Sequence, residues 1–179
     1  MTNIAYPLIL IGPTGAGKTT VGRLLSMKLA LPFFDLDEEI EARCGADIPW
    51  IFDVEGETGF RDRESRVFSD LAGLGGGVIS TGAGVVLRQE NRDLLKQHKF
   101  GVIWLQADLK TQFSRLKNDK NRPLLQVADP RAKLQAMATE REPFYRECSR
   151  IRVQTVRTNP SVVVRQIIEQ LEGNDDENA

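Results

Sequence analysis

The sequence predicts an α/β fold, with a mostly parallel central sheet and helices over both faces. Three observations predict it. Short apolar runs of strand length alternate with longer segments of helical period. The first run passes through a glycine-rich turn directly into a helical segment. Polar residues suited to chemistry follow the ends of the apolar runs, where open parallel sheets hold their ligands. At 179 residues the chain is sized for one domain with a sizeable core.

Tyr6 to Ile11 reads as a buried strand, and Thr20 to Leu31 as a helix with Val21, Leu24, Leu25, Lys28 and Leu29 three or four apart. Pro32 to Asp35 is a short strand ending in an acid, followed by a helix over about 37–43. Helical pattern resumes over 49–71. Gly73 to Gly77 form a turn, Val78 to Ser80 a strand running into Thr81-Gly82-Ala83-Gly84, and Gln89 to Lys96 a helix. Gly101 to Leu105 is a strand and Leu109 to Lys117 a helix. Asn118 to Pro130 is polar and proline-bounded, hence a loop. Arg131 to Cys148 is a helix with a kink or break at Pro143. Ile151 to Thr155 is the last strand, and Pro160 to Leu171 a helix with proline near its N-terminus. The acidic tail 173–179 is expected to be disordered.

Composition removes several function classes. A net charge of −1 argues against a general nucleic-acid or membrane surface. No apolar run is long enough to span a bilayer, and the N-terminus has no basic stretch followed by an apolar signal core. Cys44 and Cys148 are too few and too far apart for a metal site; two reduced thiols are the plainer reading and one disulfide the other. His98, the single histidine, lies in the polar stretch Lys96-Gln97-His98-Lys99 and reads as a surface residue. Chemistry should rest on Lys, Arg, Asp and backbone N–H groups.

Gly12-Pro13-Thr14-Gly15-Ala16-Gly17-Lys18-Thr19 fits the phosphate-binding P-loop, G-x-x-x-x-G-K-[ST], at every fixed position. It stands at a strand-to-helix turn, where backbone N–H groups and a helix N-terminus point at an anion. Gly15, Ala16, Gly17, Lys18, Thr19 and Thr20 are therefore the candidate nucleotide contacts. Lys18 would reach the β/γ-phosphates and the Thr19 hydroxyl would ligate Mg²⁺. Asp35 and Asp37 close the second strand. On extended chain, two such acids point to opposite sides, one toward a metal and one toward a second substrate. A helix N-cap is the plainer role for Asp37.

These segments together resemble the shikimate kinase family. GPTGAGKTT at 12–20, FFDLDEEIE at 33–41, FDVEGETGFRDRE at 52–64, STGAG at 80–84, NRPLL at 121–125 and REPFYRE at 141–147 occur in the family's order. The resemblance implies a P-loop NTPase with a three-layer α/β/α fold around a five-stranded parallel sheet, similar to nucleoside monophosphate kinases. It also implies a single kinase domain over 1–172 with a mobile lid over about 115–128. The implied reaction moves the ATP γ-phosphate to the 3-hydroxyl of shikimate, on the route to chorismate and the aromatic amino acids, with Mg²⁺ as cofactor.

The resemblance assigns roles residue by residue. Asp37 resembles the acid that binds the shikimate hydroxyls and accepts the attacking proton. Asp35 resembles the acid that holds Mg²⁺ with Thr19. Arg61 and Arg141 resemble the two arginines that grip the shikimate carboxylate, which suits bidentate forks. Glu64 is placed to orient an arginine. Arg122 resembles the lid arginine that closes on the phosphates, so Asp37, Lys18 and Arg122 form the implied catalytic set. Position alone makes Arg115 and Arg157 the candidates for the adenine. Gly82, Ala83 and Gly84 stand where the family carries three glycines that meet shikimate. Ala83 keeps the N–H but would be strained by about 1 kcal/mol if its φ were positive. The implied protein is a cytoplasmic monomer with no nucleic-acid or membrane partner. The alternatives are another small-metabolite kinase of gluconate type, a nucleoside monophosphate kinase, or a non-catalytic nucleotide-binding relative.

Overall fold

The computed structural model describes the backbone of residues 4–119 and 122–176. Five parallel strands form one sheet in the order β2-β3-β1-β4-β5. These are β1 (Leu8–Ile11), β2 (Phe33–Asp35), β3 (Val78–Ser80), β4 (Gly101–Gln106) and β5 (Ile151–Gln154). In register, Ile9 pairs with Ile79 on one side and Val102 on the other. The central strand is buried on both faces, which is why its sequence is continuously apolar instead of alternating.

Period-two alternation divides the core between the faces. Ile9 and Ile11 pack with Leu36, Phe60, Phe68, Leu95 and Tyr145. Leu8 and Leu10 pack with Val21, Leu25, Val164 and Ile167 on the other side. The first face is covered by α2 (Leu36–Cys44), α3 (Ile48–Ala72), α4 (Gln89–Leu95) and α6 (Pro130–Cys148). The second is covered by α1 (Lys18–Leu29) and α7 (Pro160–Asp176). A third, smaller cluster of Leu116, Leu125, Leu134 and Met137 joins α5 (Leu109–Leu116) to α6 at the rim.

The structure refines five expectations. The segment 49–71 is not one regular helix, because Gly56 sits at φ 70 and ψ −179 and breaks α3 into two limbs. Only glycine takes that conformation readily. Pro143 produces no break, and α6 continues through it. A 3₁₀ turn, Pro123–Leu125, interrupts the expected loop, and the rim cluster buries Leu125. Residues 115 and 116 of the expected lid belong to α5, while Lys120 and Asn121 lie outside the described residues. Last, α7 runs to Asp176 through Gly173, a residue that costs a helix about 1 kcal/mol without necessarily ending it. The rest of the expected tail, 177–179, lies outside the described residues. No described helix is long and apolar enough to cross a membrane. Both Cys44 and Cys148 are free thiols.

Candidate active site

A cleft of about 990 Å³ opens at the carboxyl ends of β1, β2 and β3. One wall is the turn between β1 and α1. Gly15 and Gly17 hold it at φ 78 and 88, a region that side chains disfavour, and Gly17 starts α1 with no side-chain cap. That leaves backbone N–H groups at a helix N-terminus directed into the cleft. Lys18 is almost buried, and its Nζ donates to the carbonyls of Gly12 and Pro13 at 2.8 and 2.9 Å. Burial first, then the charge of Arg122, lowers its pKa to about 7. Arg115, which also lines the cleft, holds the turn by donating to the Gly15 and Thr155 carbonyls at 2.8 and 2.9 Å.

Beside the turn, Thr19 Oγ1 donates to Asp35 Oδ2 at 2.6 Å and lies 3.4 Å from Ser80 Oγ. Three oxygens from the ends of α1, β2 and β3 thus converge, a donor set that matches a hard divalent cation. Asp35 has a second task. Its Oδ1 accepts from the amides of Asp37 and Glu38 at 3.0 and 3.3 Å, capping α2. Such a cap is worth about 1 kcal/mol. The cap is therefore Asp35 and not Asp37. The helix begins at Leu36, so the two acids do not lie on extended chain, and it is the helical turn that separates their side chains.

Asp37 is thereby released for another use. Its Oδ1 is buried without a hydrogen bond. Burial, then the neighbouring Asp35, raises its pKa above the ordinary aspartate value, while Arg122 and Lys18 oppose the rise. Opposite it, on the second limb of α3, Arg61 donates to Glu64 Oε2 at 2.7 Å, with both side chains buried. Glu64 also titrates high through burial, and Arg61 opposes that rise. A Cβ on Gly82 would meet Glu64 Oε1 at 2.8 Å and Asp37 Oδ1 at 3.4 Å. A Cβ on Gly84 would collide with the Arg61 guanidinium. These two glycines serve close approach, since neither has positive φ. Nor has Ala83, so the strain that a left-handed alanine would carry does not arise. The amides of Gly82, Ala83 and Gly84 make no hydrogen bond among the described residues.

Arg141, on α6, completes this end and is 4% exposed. Seven buried side-chain polar atoms lack a partner among the described residues, and five of them line this one cleft: Thr14 Oγ1, Asp37 Oδ1, Arg61 Nε, Glu64 Oε1 and Arg141 Nε. Buried polar groups are normally satisfied, so their concentration here marks a place built for a polar ligand. At the far rim Arg122 is exposed and donates to Asp119 at 3.2 Å.

The structure brings Gly15 to Thr20, Asp35, Asp37, Arg61, Gly82 to Gly84, Arg122 and Arg141 into one cleft. Arg157 is the exception. It is exposed at φ 51 and outside the lining, while Thr155, Thr158 and Pro160 on the same loop line it. The reading of the residues missed Ser80, although it ends β3 and the strand-end rule points to it. It also missed the contact between Tyr145, one helical turn after Arg141, and Ala83.

A P-loop whose nucleotide end adjoins a buried, arginine- and carboxylate-lined pocket defines a P-loop kinase of a small polar molecule. The shikimate kinase family model matches residues 14–172, and the chain belongs to that family of ATP-dependent kinases. A shikimate kinase of Pseudomonas putida is 51% identical over 166 residues, 92% of this chain and 95% of that protein. One of Chromobacterium violaceum is 48% identical over 171 residues, 96% and 92% of the two chains. The solved structure of Acinetobacter baumannii shikimate kinase in complex with shikimate is similar at TM-score 0.92 and 41% identity, covering 94% of each chain. A gluconokinase of Sinorhizobium meliloti shares the fold at TM-score 0.67 and 15% identity.

Proposed function

We propose that this chain transfers the γ-phosphoryl group of ATP to the 3-hydroxyl of shikimate, giving shikimate 3-phosphate and ADP. The observation that carries the reading is the set of unpartnered buried groups on Asp37, Arg61 and Arg141, in the same cleft as the P-loop. A planar carboxylate fits two guanidinium edges, and a ring of hydroxyls fits Asp37 and the unused amides of 82–84. The shikimate bound to the Acinetobacter relative supports the same substrate.

Phosphoryl transfer asks the protein for alignment and for neutralised charge. Asp37 orients the attacking hydroxyl and accepts its proton, a role helped by its raised pKa. Lys18 holds the β/γ-phosphates once their charge draws it from the Gly12 and Pro13 carbonyls. Thr19 and Asp35 would hold Mg²⁺, and their oxygen donors at 2.6 Å separation suit it. Bound there, the ion supplies positive charge beside the phosphate oxygens. Arg122 closes from the rim to complete the charge and help exclude water. The residues proposed for the reaction all come from one chain, which fits a monomer, and two free thiols fit a cytoplasmic protein.

The test is ADP release by the purified protein with MgATP and either shikimate or gluconate. Shikimate-dependent release with formation of shikimate 3-phosphate is expected. Turnover of gluconate, or ATP hydrolysis indifferent to shikimate, would overturn the reading.

A further inference from the structure

Tyr145 lies outside the cleft lining, is 2% exposed, and holds the segment that presents the three unused amides. Its phenol donates to the Ala83 carbonyl. Burial pushes that phenol well above its ordinary pKa, so it remains a protonated donor. Its ring is fixed by Trp104, with centroids 5.9 Å apart. The next part of the segment is held separately, by Asn91 on the Val85 carbonyl and Arg92 on those of Val86 and Leu87. Among the described residues, only Tyr145 restrains the peptide between Ala83 and Gly84 by a side-chain hydrogen bond.

In a trans peptide the carbonyl and the amide point in opposite directions. With the Ala83 carbonyl turned toward α6, the Gly84 N–H must turn away from it, on a residue packed directly against the Arg61 guanidinium. Tyr145 also follows Arg141 by one turn of the same helix. One side chain therefore ties the amide segment to the helix that carries the second arginine.

We propose that Tyr145 is a positioning residue for shikimate, setting the direction of the Gly84 amide and its register against Arg61 and Arg141. This rests on the proposed reaction. It adds that part of the affinity for the acceptor is set by a residue that never touches it.

The experiment is steady-state kinetics of Tyr145→Phe, with thermal unfolding measured in parallel. The loss of one hydrogen bond should raise the shikimate KM about five- to tenfold. The MgATP KM and kcat should change by less than about threefold, because Lys18, Thr19 and Asp37 are untouched. Val164→Ala, a truncation in the opposite core, controls for stability alone and should leave both KM values unchanged while lowering Tm. A double variant Ala83→Gly/Tyr145→Phe should lose more than the sum of the single effects, since glycine frees the peptide that the phenol held. A wild-type shikimate KM in Tyr145→Phe, or equal rises in both KM values, would overturn the proposal and leave the reaction standing. A wild-type protein that does not phosphorylate shikimate would overturn both.

Discussion

Arg61 and Arg141 at one end of the cleft and Arg122 at the other carry the same charge in opposite surroundings. The first two are 7% and 4% exposed, and Arg61 is locked to a buried Glu64. Arg122 has a side chain 45% exposed and, among the described residues, one ion pair, to a neighbour three residues away. The acceptor end is thus assembled before any ligand arrives. The nucleotide end keeps its last cation on a short, weakly tied segment. Fixed groups cost no reorganisation when a substrate binds, whereas a closing group can exclude water only after both substrates are in place. In the proposed reaction the same side chain would serve recognition where it is buried and gating where it is exposed.

The largest expected effect lies on the exposed side. Arg122→Ala should depress kcat with a ceiling of about 10³–10⁵-fold, the range for arginines that neutralise phosphoryl-transfer charge. Hydrogen exchange of 122–130 should slow when nucleotide and shikimate are both bound. Equal exchange with and without them would make the rim a fixed wall and remove the contrast.

Next in size, Asp37→Asn should lower kcat about 10²–10⁴-fold, the contribution of a positioned base, while leaving Tm nearly unchanged. Stability is expected to survive because the α2 cap is Asp35. A near-normal kcat would show that Asp37 only positions the acceptor.

The two buried arginines should then separate from each other. Arg61→Ala strands Glu64 and should cost about 3–5 kcal/mol of stability, the penalty of breaking a buried pair. Arg141→Ala should leave Tm much closer to wild type, since the charged group nearest it is the exposed Glu140, 3.8 Å away. It should nonetheless weaken shikimate binding by about 1.5–3 kcal/mol, read by calorimetry. Similar Tm losses in the two variants would mean that preassembly does not depend on Glu64.

The smallest effect is a pH dependence at Lys18. Its pKa in the folded, ligand-free protein is about 7, against 10.5 for a free lysine. Because the folded value is depressed, the contribution of this group to stability is present above pH 10.5 and is lost as pH falls through about 7. Bound phosphates favour the charged form and restore the proton. MgATP binding near pH 8 should therefore take up a fraction of a proton, measured by calorimetry in buffers of different ionisation enthalpy. Affinity should fall as pH rises above about 7. No proton uptake would mean that Lys18 is already charged.

Local chemistry explains what could be read without coordinates. The P-loop depends on spacing within eight residues, and a parallel strand buried on both faces announces itself by an unbroken apolar run. Asp35 and Asp37 show the limit. Their presence at a strand end was readable, but their division of labour depends on the helix starting at Leu36, and helix starts are uncertain by a residue or two. Gly56 is a second case. A glycine in a helical pattern is usually tolerated, so nothing in the local pattern announced that Gly56 would leave the helical conformation. Arg157 is a third, placed by analogy of position and carried out of the lining on its loop.

The sequence by itself determined the class of sheet, the phosphate turn and the cast of charged residues, because each is carried by residue type, apolar pattern or spacing along the chain. Only the tertiary structure decided which of those charges are buried, which carboxylate caps and which stands free, and that Tyr145 holds the segment facing Arg61. Those outcomes depend on desolvation and on contacts between residues as far apart as 83 and 145, which periodicity and spacing do not encode.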